Sequence, residues 1–215
     1  MNNPTDFLKN IQINAHSSIR IQAGDAVLYV DPFRLTAAPH DADLIFLTHS
    51  HFDHFSPEDV NRVRKSDTVF ILPESARADA AENTQGHRVV GVQPYDRGSV
   101  LRVEYEAVPA YNPGKPFHPR ANNWVGYVLT VEGLRIYIAG DTDRTPEAEQ
   151  VSCDIALLPI GGKYTMDAVE AAALANLLRP QVAVPIHYGS VAGELRDFDR
   201  FAAAVDPAIR VERLV

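Results

Sequence analysis

Apolar residues recur along this chain in two rhythms, one of period two and one of helical period. Ile11–Ala15, Ser18–Ala23 and Ala26–Val30 alternate or run apolar, are separated by turn residues and stop at Asp31-Pro32, which predicts three short strands. Leu44-Ile45-Phe46-Leu47 is fully apolar and predicts a buried strand that runs straight into Thr48-His49. Ser56-Pro57-Glu58-Asp59 then supplies an N-cap, a proline at the first helical position and acids in the first turn, so a helix is expected to about Arg64. A strand over Val69–Leu72 and a helix over Ser75–Glu82 follow. Val100–Pro109 and Trp124–Ala139 are β-rich, the second folding back at Glu132-Gly133 as a hairpin. Between them Tyr111–Asn123 has no periodicity and two prolines after Asn112-Pro113-Gly114, which predicts a long loop of the kind that carries function. The last third alternates again: strand Asp154–Ile160, helix Met166–Leu178 capped by Thr165, strand Val182–Ile186 and helix Gly193–Val205. Two β-rich layers with helices outside them is the simplest packing of this order, and a doubly wound α/β sheet is the alternative that pattern alone leaves open.

With 215 residues, 46% of them hydrophobic, the chain can bury a substantial core, and a single domain over residues 1–215 is expected. A formal charge of −8 repels phosphate backbones, so no nucleic acid is expected and a small-molecule substrate is. The one cysteine, Cys153, allows no intrachain disulfide and suits a reducing compartment. Met1–Asp6 lacks the basic start and apolar run of a signal peptide, and no stretch reaches the ~20 apolar residues of a membrane span, so no membrane association and a cytoplasmic location are expected. Oligomeric state stays open.

The chemistry concentrates in Thr48-His49-Ser50-His51-Phe52-Asp53-His54, three imidazoles and a carboxylate immediately after a buried strand. Borderline metals such as zinc take these nitrogen and oxygen donors. In extended backbone His49 and His51 point the same way and reach one ion; the chain then turns, and Asp53 and His54 face a second. A surface histidine run is the bland alternative, and the density of donors at a strand end argues against it. Ile136–Ala139 leads through Gly140 to Asp141, and Val184-Pro185-Ile186 leads to His187, so each places one donor at a strand tip. Alone, each would be read as a turn or structural residue; beside the first cluster, both become candidate ligands.

On these residues the chain resembles the metallo-β-lactamase superfamily, and within it the compact branch of metal-dependent hydrolases that includes ascorbate-6-phosphate lactonase-like proteins. The matching pieces are Asp31 after a strand, the His49–His54 motif, Gly140-Asp141-Thr142 and Pro185-Ile186-His187, in the family's order. The resemblance implies an α+β fold, a four-layer αββα sandwich, holding two divalent metal ions. His49 and His51 would bind one; Asp53, His54 and His187 the other; Asp141 would bridge them, and Asp31 would orient the motif loop. Zinc is the first expectation, manganese or iron the others.

One family position departs. A further histidine is expected where this chain has Pro109-Ala110-Tyr111-Asn112, so the first metal either lacks a protein ligand, takes water, takes an oxygen from Asn112, or receives His118 from the loop. His16, in a His-Ser-Ser segment that similar proteins carry near the site, is expected to line the pocket, with a structural strand-end role as the alternative. Lys163 and Tyr164 follow Ile160-Gly161-Gly162 toward a helix N-terminus, where they would hold an anionic group or form a solvated turn. Cys153 reads as a buried small side chain, His40 and His87 as surface residues, and Trp124 as core or pocket wall.

The implied function is a metal-dependent hydrolase in which a metal-activated hydroxide cleaves a small ester, lactone or phosphodiester. Asp53 or Asp141 would guide the proton, and His118 or Tyr111 would stabilise the oxyanion. The alternatives are a metal-binding ligand sensor that kept the fold without turnover, a nuclease, and a di-iron redox protein.

Overall fold

Residues 3–214 are described in a computed structural model. Among the described residues thirteen strands form two sheets. The first has the order β1 (Ile11–Ala15), β2 (Ser18–Ala23), β3 (Ala26–Val30), β4 (Ala42–Phe46), β5 (Arg64–Pro73), β6 (Arg88–Val92). The second contains β7 (Arg97–Val100), β8 (Val103–Pro109), β9 (Val125–Val131), β10 (Leu134–Ile138), β11 (Ile155–Pro159), β12 (Val182–Ile186) and β13 (Arg210–Val211), neighbours in reverse chain order from β13 to β7. The helices are α1 (Pro4–Phe7), α2 (Pro57–Val63), α3 (Ala81–Thr84), α4 (Ala168–Leu178) and α5 (Asp197–Ala204).

Period-two side-chain alternation builds the layers. Leu28 and Val30, Leu44 and Phe46, and Val69 and Ile71 turn inward from the first sheet to meet Ile155, Leu157, Val182, Val184 and Ile186 from the second. Their neighbours point outward: Tyr29, Ile45 and Phe70 pack with Val60 and Val63 of α2. On the other side, Ala156, Leu158 and Ala183 pack with Ala168, Ala171, Ala172 and Ala175 of α4 and Phe201 of α5. Alanine on both helix and strand lets α4 lie close to the sheet. Helix, sheet, sheet, helix is the αββα order of the metallo-β-lactamase fold.

Strand directions bring the chemistry to one end. β3 and β4 are parallel, β1 shares their direction through the antiparallel β2, β10, β11 and β12 are parallel, and β8 shares theirs through β9. The segments bearing His16, Asp31, His49, His118, Asp141 and His187 therefore all leave strands at their C-terminal ends. Val125 N donates to Thr48 O at 3.2 Å and His187 N to His16 O at 3.1 Å, joining the two sheets at this edge.

Several expected elements have different limits. Ser75–Glu82 is not one helix: a 3₁₀ turn at Glu74–Ala76 precedes α3, because only Ala76 and Ala80 bury in between and so little apolar area cannot hold a longer helix. Residues 64–73 are strand from the end of α2 onward, since Arg64 already has extended backbone. Val100–Pro109 is broken by Leu101 and Arg102, both at positive φ, into the hairpin β7–β8. The edge strand β6 was absent from the sequence reading. Helix α4 is capped by Asp167, not Thr165: Asp167 Oδ1 accepts from Val169 N and Glu170 N while Glu170 closes the capping box. The last helix begins at Asp197, after Gly193 at φ +65°.

Candidate metal centre

Three residues of the centre sit at strand ends with left-handed backbone: His16 at φ +56°, Asp31 at +48° and His187 at +58°. For side chains of this size that conformation is uncommon and costs on the order of 1 kcal/mol or more, tolerated where surrounding structure over-determines it. Gly140, at +66°, turns the chain sharply from β10 so that Asp141 points inward.

Asp31 organises the motif loop from below. Its Oδ1 accepts from Thr48 N at 2.8 Å, and its Oδ2 accepts from Thr48 Oγ1 at 2.6 Å and from His54 Nδ1 at 2.7 Å. With its proton given to Asp31, the Thr48 hydroxyl accepts from His49 Nδ1 at 2.9 Å. Both rings are thereby set to keep their proton on Nδ1 and to give Nε2 to an ion, the arrangement metal-binding imidazoles need.

The same device holds His118. Its Nδ1 donates to Asn112 Oδ1 at 2.6 Å, and its Nε2 lies 3.1 Å from His51 Nδ1 and 3.3 Å from Asp141 Oδ2. His49 Nε2 is 3.1 Å from the same His51 nitrogen. The loop thus delivers His118 to the position where Asn112 was one candidate, and the Asn112 oxygen is engaged by the histidine. Its amide Nδ2 donates to Asp143 Oδ1 at 3.1 Å, and Lys115 Nζ donates to Asp143 Oδ1 at 2.6 Å and Thr165 O at 2.8 Å, pinning the loop. Asp143 and Lys115 were missed in the sequence; the carboxylate two residues after Asp141 was the available signal.

Around Asp53 a second group gathers. Asp53 Oδ2 lies 3.4 Å from His16 Nε2, 3.6 Å from His187 Nε2 and 3.8 Å from His54 Nε2. Asp141 touches both groups, with Oδ1 3.1 Å from His54 Nε2 and Oδ2 3.1 Å from His187 Nε2. Three sets therefore offer donor atoms close enough to share an ion: His49, His51 and His118; His16, Asp53 and His187; His49, His54 and Asp141. His16, expected only as pocket lining, stands directly beside Asp53 with its ring 3.8 Å from that of His187.

Tyr111 is not brought to the cluster: its phenol donates to Glu147 Oε2 at 2.8 Å, which removes it as an oxyanion donor. Lys163 is exposed, with Nζ 5.0 Å over the Tyr164 ring, and both line a cleft of about 460 Å³ beside Gly161 and Ala192. Trp124 is half-buried against the rings of His49, His51 and His118 at 4.9, 4.8 and 5.5 Å. His87 is half-buried against Phe70 rather than free on the surface, and His40 is exposed. Cys153 is half-buried, and burial pushes its thiol up to about 12.

The electrostatics couple the carboxyls to the imidazoles around them. Burial alone would raise Asp141 and Asp53, but His187 and His54 around the first, and His16 and His187 around the second, hold both carboxyls below the usual carboxylate range. Burial depresses His54, yet Asp141 and Asp31 outweigh it and raise its proton affinity well above the ordinary histidine value; His187 is raised by Asp141 in the same way. Burial brings His16 down to about 4. Buried and without hydrogen-bond partners are His16 Nε2, His54 Nε2, Asp141 Oδ1 and both His187 nitrogens. Buried polar atoms are ordinarily satisfied, so converging lone pairs on hard and borderline donors fit a bound divalent ion.

Comparison with known proteins places the chain in a family. Residues 10–187 match the family model described as a beta-lactamase superfamily domain. A UPF0173 metal-dependent hydrolase from Thermococcus onnurineus is 32% identical over 193 residues, covering 84% of this chain and 84% of the relative. Another from Pyrococcus furiosus is 31% identical over 210 residues, covering 91% and 92%. The crystal structure of a Parabacteroides distasonis protein superposes with a TM-score of 0.83 at 32% identity, covering 94% of this chain and 91% of that one. The chain belongs to the metallo-β-lactamase superfamily and, within it, to the UPF0173 metal-dependent hydrolases.

Proposed function

We propose that this hydrolase uses two divalent metal ions to cleave a small ester, lactone or phosphodiester. His49, His51 and His118 would hold one ion and Asp53, His54 and His187 the other, with Asp141 placed between the two groups. The observation that carries the reading is Asp141 itself, whose two oxygens approach His54, His118 and His187 within 3.3 Å and so serve both groups at once. Bound ions of this kind supply Lewis acidity and bring the pKa of water to about 7. Zinc is the first choice, and manganese or iron suits the same donors.

The side chains do the positioning. Asp31, Thr48 and Asn112 fix the tautomers of His54, His49 and His118. Asp53, whose Oδ2 lies 3.4 Å from His16 Nε2, would take a proton from the attacking water at Oδ2 and give it to the leaving oxygen. Lys163 and Tyr164 bind an anionic part of a small-molecule substrate at the adjoining cleft. His118 standing 3.1 Å from His51 supports an enzyme over a metal sensor without turnover.

The test is the elemental metal content of gently purified protein and of Asp141→Ala, followed by turnover of 4-nitrophenyl acetate, simple lactones and bis(4-nitrophenyl) phosphate with added Zn²⁺ or Mn²⁺. Close to two equivalents in the parent, reduced in the variant, together with metal-dependent hydrolysis, supports the reading. One equivalent or none, unchanged by the substitution, sinks the dinuclear centre.

A further inference from the structure

The chain has nine phenylalanines. Phe7, Phe33, Phe46, Phe55, Phe70 and Phe201 are buried and Phe198 is half-buried; Phe52 is 66% exposed and Phe117 38%. These two exposed rings are the chain neighbours of His51 and His118, the pair whose facing nitrogens lie 3.1 Å apart. His51 is also the half-buried member of a cluster whose other residues, from His16 to His187, are buried, so solvent and substrate reach the centre on its side.

Each exposed ring is braced. Phe52 makes an edge contact with the buried Phe33 at 6.1 Å, and Phe117 meets half-buried Tyr164 edge-on at 4.6 Å. Bracing of this kind limits the entropy that an aromatic side chain loses on binding. Leaving a phenylalanine in water forgoes roughly 1.5–3 kcal/mol of burial. Two such residues flanking a candidate reaction centre, while the other seven find at least partial cover, mark a surface that a ligand covers. Tyr95, Leu101, Val169, Leu177 and Leu195 are exposed as well, but none of them is a chain neighbour of a candidate ligand. The occupant follows from the place: whatever lies on these rings must also extend to the centre beside them.

From this we infer that Phe52 and Phe117, the latter backed by Tyr164, form an aromatic collar that binds the apolar acyl chain of the substrate, so that the substrate class is an acyl ester with several methylenes rather than a short polar one. The inference rests on the hydrolase reading above. Ester cleavage then bonds a water oxygen to the acyl carbon, breaks the acyl–oxygen bond and leaves one proton on the alcohol and one on the acid.

The experiment uses the metal-loaded protein and two readouts. The first is kcat/KM for 4-nitrophenyl esters from acetyl to octanoyl, below their aggregation limit. The second is binding of acetate and octanoate followed by the fluorescence of Trp124, the one tryptophan of the chain, which sits against His49, His51 and His118. Partial burial of the added methylenes predicts about a tenfold or larger preference for the octanoyl ester and for octanoate. In Phe52→Ala and Phe117→Ala that preference falls at least about threefold, chiefly through KM and the dissociation constant, with metal equivalents equal to the parent's. Hydrolysis of all esters with no chain-length dependence, and equal binding of acetate and octanoate, overturns the collar while leaving the hydrolase standing. Inert esters together with a retained octanoate preference, lost in the two variants, support the collar and overturn ester hydrolysis instead.

Discussion

The Nδ1–H of His118 donates to Asn112 Oδ1 at 2.6 Å, and this bond decides which ring nitrogen faces His51 and Asp141. The pair stands six positions apart in the chain, and Asn112 N also donates to His118 O at 2.8 Å, so the loop closes on itself before it reaches the centre.

Replacing Asn112 with leucine keeps the volume and removes the acceptor. The ring is then free to turn or to change tautomer, and affinity for the ion held with His49 and His51 should fall about 10–100-fold, the usual cost of losing such a partner. Asn112→Asp, which keeps an acceptor, should retain most of it. Equilibrium dialysis at limiting Zn²⁺ measures both; a leucine variant that binds like the parent would show that the loop, not this bond, fixes His118.

Asp31 is the corresponding anchor on the other side. It satisfies Thr48 N, Thr48 Oγ1 and His54 Nδ1, all buried. Asp31→Ala strands these donors in a dry interior, for which about 3–5 kcal/mol of destabilisation is expected. Chemical denaturation of the metal-free protein reads this directly, separating it from any metal effect. A loss below about 1 kcal/mol would mean that water or a rearranged Thr48 replaces the carboxylate.

How much of this was visible beforehand follows from what kind of force places each residue. β3, β4, β11 and β12 are buried on both faces, and their apolar runs announce them. β6 is an edge strand containing Gly91, mostly half-exposed, and the β7–β8 turn is made by Leu101 and Arg102 without glycine or asparagine, so neither carried a signal. His49, His51, Asp53 and His54 are contiguous, while Asp141 and His187 follow legible strands. His118 was not assignable, because the bonds that place it run from Asn112 and from Lys115 to Asp143 and Thr165, across tens of residues of sequence. His16 was undervalued for the same reason: its approach to Asp53 depends on β1 ending at the same edge as β12.

Gly161 has no room for a side chain. A Cβ there would lie 2.5 Å from His187 O and 3.1 Å from both His187 Nδ1 and the Ala192 methyl. Gly161→Ala should therefore displace His187 and its backbone, costing about 1–3 kcal/mol of stability. Metal held with Asp53 and His54 should weaken while that held by His49, His51 and His118 is retained. Stepwise loading with Co²⁺, followed by its visible absorption, distinguishes the two. Parallel loss of both sites would indicate that the substitution acts on the whole edge.

Proton linkage gives the last expectation. In the metal-free protein His54 and His187 hold their protons above the ordinary 6.5, because Asp141 lies against both and Asp31 against His54. A group whose folded value is raised contributes stability that is complete below the unfolded value and is lost as pH rises through the folded one. Asp141, depressed, contributes stability present above its unfolded value near 3.8 and lost as pH falls. The metal-free protein should accordingly be most stable between these limits and lose melting temperature as pH is raised above about 6.5. A divalent ion competes with the same protons, so loading at pH 7 should release protons and affinity should climb with pH. Calorimetry in two buffers of different ionisation enthalpy counts the protons released. If none is released and the melting temperature is flat above neutrality, His54 and His187 are already neutral, and the carboxylates around them are balanced by some other charge.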